Sequence, residues 1–118
     1  RSIQGFLMSD HLPDIDHAAL DALRELMQDD YPLLLETFLT DANLRLSQLS
    51  AALQSEDLEA FRQAAHSFKG SCGNMGALAL ENACLDGERA ALKGDLAAAK
   101  VSYSNILACS SRVQTQLS

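Results

Sequence analysis

The stretch AAHSFKGSCGNMGA, Ala64 to Ala77, has the apolar spacing of a helix yet carries glycine at Gly70, Gly73 and Gly76. Glycine costs roughly 1 kcal/mol relative to alanine in a helix interior. The surrounding pattern nevertheless stays in helical phase. Leu58, Phe61, Ala65, Phe68, Cys72 and Met75 alternate steps of three and four residues, which confines them to a sector of about 100° on a helical wheel. His66 falls about 100° away from Ala65, outside that sector. On its flank lie Glu59, Arg62, Lys69, Gly70 and Gly73. The imidazole therefore faces outward from the middle of a long helix. Glycines at i+4 and i+7 clear side chains from the surface beside it, so a bulky partner could come close. The competing reading is that the glycines let two helices pack tightly and His66 is an ordinary solvated residue.

Helical spacing continues on both sides. Asp16 is placed to cap a short helix reaching about Met27, with Ala19, Leu20, Leu23, Leu26 and Met27 on its apolar side. DDYP then interrupts, and Pro32 suits the first turn of a helix carrying Leu35, Leu39, Ala42, Leu46, Leu49 and Leu53. Ser55 or Asp57 caps the histidine helix. After GNMGA, a helix from about Leu78 to Lys93 carries Leu80, Ala83, Cys84, Gly87 and Ala91. Gly94 stops it and Asp95 caps the last helix, with Leu96, Ala99, Tyr103, Ile106, Ser110, Val113 and Leu117 along one side. No strand-like alternation competes. The expected fold is all-α: an antiparallel up-down four-helix bundle with an additional short N-terminal helix. Leu78, Leu85 and Leu92 form a second ridge, read as packing against an extra element rather than as a docking strip. Leu34 and Phe38, partly off their helix's main stripe, are candidates for contacts beside His66.

Composition excludes several function classes. The chain has 118 residues, 47% hydrophobic, with a formal charge of -7 and pI near 4.7. An acidic surface repels nucleic-acid phosphates and anionic lipid alike. No apolar run reaches the roughly 20 residues of a membrane span. Cys72, Cys84 and Cys109 are widely spaced and lack zinc-ligand grouping, so they read as reduced core residues of a cytoplasmic protein. Residues 1–7 read as a remnant ahead of a natural start at Met8, leaving 8–118 as one domain. His11 and His17 read as solvated.

The chemistry open to such a histidine is narrow. A neutral imidazole is a competent nucleophile near neutral pH. No serine or cysteine triad, nucleotide-binding loop or paired zinc histidine accompanies it. A nucleophile with one nearby cation and cleared access suits a phosphoryl group delivered by another protein, with Lys69 offsetting the developing charge. A metal or haem bundle would need inward-facing ligands and a Glu-x-x-His pair, which are missing. A docking module without chemistry would not need both Lys69 and Gly70.

The segment AHSFKGSCGNMGA resembles the signature of the histidine-containing phosphotransfer (HPt) domains of multistep phosphorelays: Ala-His, any residue, an apolar residue, Lys-Gly, then Gly-Ala after a small-residue interval. The likeness extends from about Asp16 to Leu117. It implies that His66 is phosphorylated through Nε2, that Lys69 binds the phosphoryl oxygens, and that Gly70 admits the partner's active site. Gly73 and Arg62 would lie on the same access face, and Gly76 would mark the turn after the helix. The implied reaction takes a phosphoryl group from a receiver-domain aspartate and passes it to the aspartate of a response regulator. The implied partners are receiver domains of hybrid sensor kinases and response regulators, engaged by a monomer. No cofactor or metal is expected in the chain itself, Mg²⁺ belonging to the receiver, and no autonomous kinase activity. Gly87 departs from the leucine common in relatives, which puts core packing there in question. Glu88 stands near a glutamine that assists the phosphoryl group in some relatives. A carboxylate there would repel phosphate unless paired or turned away, and so is given no role.

Overall fold

Each break between the expected helices carries its own stop and start chemistry, and the fold uses it. In the computed structural model, which describes residues 12–117, helix α1 spans His17–Met27 and is capped by Asp16, whose Oδ1 accepts from Ala19 N at 3.1 Å. A 3-10 turn over Gln28–Asp30 leads into α2, Tyr31–Gln54, with Pro32 in its first turn. Asp57, not Ser55, caps α3, Leu58–Asn74, accepting from Ala60 N at 3.0 Å. Helix α4 covers Leu78–Leu92 and α5 covers Leu96–Leu117, the latter started by Asp95 accepting from Ala98 N at 3.0 Å. Residues 1–7, Met8 and His11 lie outside the described residues.

Three-residue connections force α2 to α5 to run alternately up and down. Helix α2 packs on α3 and α5, and α4 closes the ring against the same two. Phe61, Phe68, Leu49, Leu80, Ile106 and Val113 are fully buried at its centre, each large side chain contributing roughly 1.5–3 kcal/mol by leaving water. Helix α1 sits at one end of the bundle. It is tied there by Asp16 N donating to Gly76 O at 2.8 Å and Ala79 N donating to Pro13 O at 3.1 Å. Asp14 adds a link to α5, accepting from Arg112 Nε at 2.9 Å. The turn between α3 and α4 is thus the seat of the N-terminal segment.

The core differs from the expected stripes at named positions. Phe38, Tyr31 and Ala52 of α2 are buried, and Leu34 packs partly buried against that core. Helix α1 covers only one end and finds partners on one side alone. Leu20 is buried, Ala19 is exposed, and Leu26 is 79% exposed. The second ridge on α4 splits. Leu92 is exposed, whereas Leu78 and Leu85 are half-buried in an open groove with Leu12, Lys69, Glu81 and Asn82. Gly87 settles its own question: a Cβ there would lie 3.2 Å from Phe61 Cε1 and 3.5 Å from Ile106 Cδ1. Close approach of α4 to α3 and α5 needs a residue without a side chain at that position. Cys72 and Cys84 are buried and unoxidised; the neighbouring Cys84 thiol and burial push the Cys72 thiol up, which keeps it unreactive.

Candidate functional site

The helical phase of α3 places His66 as the wheel predicts. Ala65 and Phe68, its neighbours in the core sector, are fully buried, while the His66 side chain is 61% exposed. Its ring is nevertheless held. Nδ1 lies 2.8 Å from Glu88 Oε2 of α4, and Lys69 Nζ donates to Glu88 Oε1 at 2.7 Å. The Glu88 side chain is only 12% exposed. Its carboxyl is held below the usual carboxylate range, first by the Lys69 hydrogen bond and then by that of His66, against the opposing effect of burial.

That assignment fixes the proton on the ring. An ionised carboxylate can only accept, so Nδ1 must carry the hydrogen and donate it to Oε2. In the neutral imidazole Nε2 then holds the lone pair, at the ring edge remote from the carboxylate. The arrangement provides an oriented nitrogen nucleophile at an exposed helix face. Glu88, given no role from sequence, is the residue that reasoning missed. The signal was present in part: a carboxylate one bundle helix away is harmless to phosphate when paired, and Lys69 supplies the pairing.

The remaining expected residues divide. A Cβ built on Gly70 would meet nothing within 4 Å among the described residues, so no described neighbour accounts for the glycine. Gly73 differs: its virtual Cβ would come 2.9 Å from Glu81 Oε2, and the α4 carboxylate, not an approaching partner, occupies the space beside it. Arg62, one turn before His66, is engaged with Glu59, donating from Nε at 2.9 Å and from Nη2 at 2.7 Å. Those bonds and that of Gln63 hold the Glu59 carboxyl down at about 2. Gly76 adopts φ +70, and a Cβ there would meet Asp16 O at 3.3 Å. It marks the turn and admits the N-terminal segment, while His17 is exposed at the start of α1. Among the described residues no group of three or more His, Cys, Asp and Glu side chains is arranged to hold a metal ion, and no helix is long and apolar enough to cross a membrane.

Comparison with known proteins agrees with this geometry. The family model of the Hpt domain matches residues 33–116. The crystal structure of histidine-containing phosphotransfer protein B from Pseudomonas aeruginosa is similar at a TM-score of 0.86 and 40% identity, over 89% of this chain and 91% of that one. A histidine-containing phosphotransfer protein from maize shares the fold at a TM-score of 0.74 and 18% identity, over 88% of this chain and 84% of that one. A comparison with curated protein sequences gives no match. The order of helices among the described residues, an imidazole presented from α3, and a match over most of the bundle lead to one assignment: the chain belongs to the Hpt domain family and serves histidine phosphotransfer in two-component phosphorelays.

Proposed function

We propose that His66 is the phosphoryl carrier, taking the group from a receiver-domain aspartate and returning it to the aspartate of a response regulator. The observation that carries this is the exposed imidazole, 61% open, with Nδ1 anchored on Glu88 and the Gly70 surface bare beside it. In acceptance, the Nε2 lone pair attacks phosphorus in line while the P–O bond to the partner's aspartate breaks, and its electron pair leaves with that carboxylate. Donation is the reverse. An acyl phosphate and a phosphohistidine are both high-energy donors, so the exchange runs in either direction.

The donors are receiver domains of hybrid sensor kinases and the acceptors those of response regulators. The Mg²⁺ that serves the chemistry belongs to the receiver, and the chain has no kinase activity of its own. In the same reading it works as a cytoplasmic monomer, its His66 face offered to one receiver at a time. Incubation with a receiver domain phosphorylated on its aspartate is expected to place acid-labile, base-stable phosphate on this chain. His66→Gln is expected to accept none. Acceptance by that variant at the wild-type level would remove His66 from the reaction.

A further inference from the structure

Two cations flank His66 on α3, Arg62 one turn before it and Lys69 one turn after, and they are held in different ways. Lys69 is bonded across helices to Glu88, whose side chain is only 12% exposed. Arg62 is bonded within its own helix to Glu59, whose side chain is 62% exposed. Its fork donates from Nε to Oε1 at 2.9 Å and from Nη2 to Oε2 at 2.7 Å, which uses two of the five N–H groups of a guanidinium. An ion pair on one exposed helical turn is a weak hold, because water solvates both partners well once they part. The arginine is therefore the cation beside His66 that can change partner.

Helix geometry points to the partner it would change to. Side chains lean towards the N-terminus of their helix, so the His66 ring leans over the turn that begins at Arg62 and away from Gly70. Residues four apart have Cβ atoms roughly 5–6 Å apart, a span that the long arginine stem crosses by rotation about its own bonds. The Arg62 guanidinium is held above its ordinary value first by its bonds to Glu59 and in smaller part by the Glu88 carboxylate, so it already sits in the field of the group that anchors the ring. Arg89 on α4 is differently placed. Its charge acts on Asp86, which lines the groove between α4 and α5.

We propose that Arg62 is a phosphohistidine-binding residue held in reserve by Glu59: when His66 carries phosphate, the guanidinium fork leaves the carboxylate and donates to two phosphoryl oxygens. The proposal rests on His66 being the carrier. No covalent bond changes in the exchange. Two N–H groups turn from carboxylate to phosphoryl oxygens, while Glu59 keeps the bond that Gln63 Nε2 donates to Oε2 at 3.0 Å and is otherwise solvated. The phosphoryl group is the stronger acceptor, with three oxygens, more negative charge and a spacing that a planar guanidinium meets with two parallel bonds. Glu59 is then a competitor for the same fork. It loosens the hold of Arg62 on the phosphoryl group and so keeps that group transferable to the next receiver.

The test is a competition at equilibrium. Wild type and one full-length variant, in equal amounts, share a limiting quantity of a phosphorylated receiver domain that loads wild type, with Mg²⁺ present so that the receiver shuttles phosphate between them. Intact mass at alkaline pH, where phosphohistidine persists, reads the share that each chain holds. Wild type is expected to hold about threefold to tenfold more than Arg62→Ala. Glu59→Ala is expected to hold about twofold to threefold more than wild type. The double variant is expected to match Arg62→Ala, because without the arginine Glu59 has nothing to withhold. A residue that only touches the partner changes the speed of exchange in both directions and leaves the shares equal, so equal shares for wild type and Arg62→Ala overturn the proposal. A double variant that returns to the wild-type share overturns it as well, since the two charges then act independently through space. The side-chain Nε–H resonance of Arg62, assigned by its loss in Arg62→Ala, gives a direct reading: it should move when wild type is phosphorylated, and a resonance that stays in place means the fork never leaves Glu59. If wild type takes no phosphate from a loaded receiver, or His66→Gln takes as much, the carrier reading itself falls and the role of Arg62 falls with it.

Discussion

Gly70 and Gly87 are both helix-interior glycines of the α3–α4 pair, and they are glycines for opposite reasons. At Gly87 a Cβ would press on Phe61 at 3.2 Å and on Ile106 and Ser102 at 3.5 Å, all within the chain. At Gly70 it would touch nothing within 4 Å among the described residues. The helix penalty is the same in each case. One glycine is explained by packing that can be seen, and the other by no packing among the described residues. An unoccupied glycine face beside an anchored imidazole is hence a stronger pointer to an intermolecular reaction than the presence of either residue alone.

The contrast is sharpest under the same substitution. Gly87→Leu must drive four carbons into a closed seam, and is expected to cost about 3 kcal/mol or more and to leave much of the chain unfolded at 37 °C. Urea denaturation measures this, and a loss below about 1 kcal/mol would mean α4 can slide away from α3 freely. Gly76→Ala comes next. It forces a side chain into φ +70 and against Asp16 O, at a cost of about 1–2 kcal/mol. The loss should appear first in the anchoring of Pro13 to Asp16, read by amide exchange at Asp16 and Ala79, whose N–H groups donate across that junction.

Gly70→Leu moves in the other direction. Stability is expected to rise by roughly 0.5–1 kcal/mol, because an exposed helical glycine is replaced by a better helix former. Transfer from a loaded receiver is expected to fall at least tenfold while phosphorylation by phosphoramidate changes little, since a small donor does not need the cleared face. Equal losses with both donors would instead show that the leucine disturbs the imidazole itself.

These two sites also show what was legible before any coordinates. The phase of α3 gave the exposed histidine, because Phe61, Ala65, Phe68 and Cys72 fix a buried face and leave little choice for His66. Caps at Asp16, Asp57 and Asp95 gave three helix starts, each a local side-chain-to-backbone bond. What stayed hidden depended on the rotation of one helix against another. Gly87, Glu88 and the Glu81 carboxylate beside Gly73 all belong to α4, and their meaning lies in which residues of α3 they meet. No period within α4 reports that. Phe38, outside the expected stripe of α2, is buried with Tyr31, Ala42, Leu49 and Ala52, because α2 packs against both α3 and α5.

The smallest expected effect concerns the charge at Glu88 and has a definite sign in pH. Its folded carboxyl is held below the usual carboxylate range, chiefly by Lys69. A depressed carboxyl stabilises the fold above its unfolded pKa and loses that contribution as pH falls through the folded value. Near neutrality, Glu88→Gln is expected to be less stable than wild type by about 1 kcal/mol, because a bond between two opposite charges at a half-buried lysine is replaced by one in which only the lysine is charged. Below pH 4.5 the gap should narrow and finally close, as the wild-type carboxyl takes up its proton and comes to resemble the amide. Paired denaturation curves at neutral and acidic pH measure the difference and remove the acid sensitivity common to both chains. A gap that stays constant would mean that shape rather than charge holds residue 88 in place, whereas closure ties the lysine, the carboxylate and the imidazole into one electrostatic unit set against the open face at Gly70.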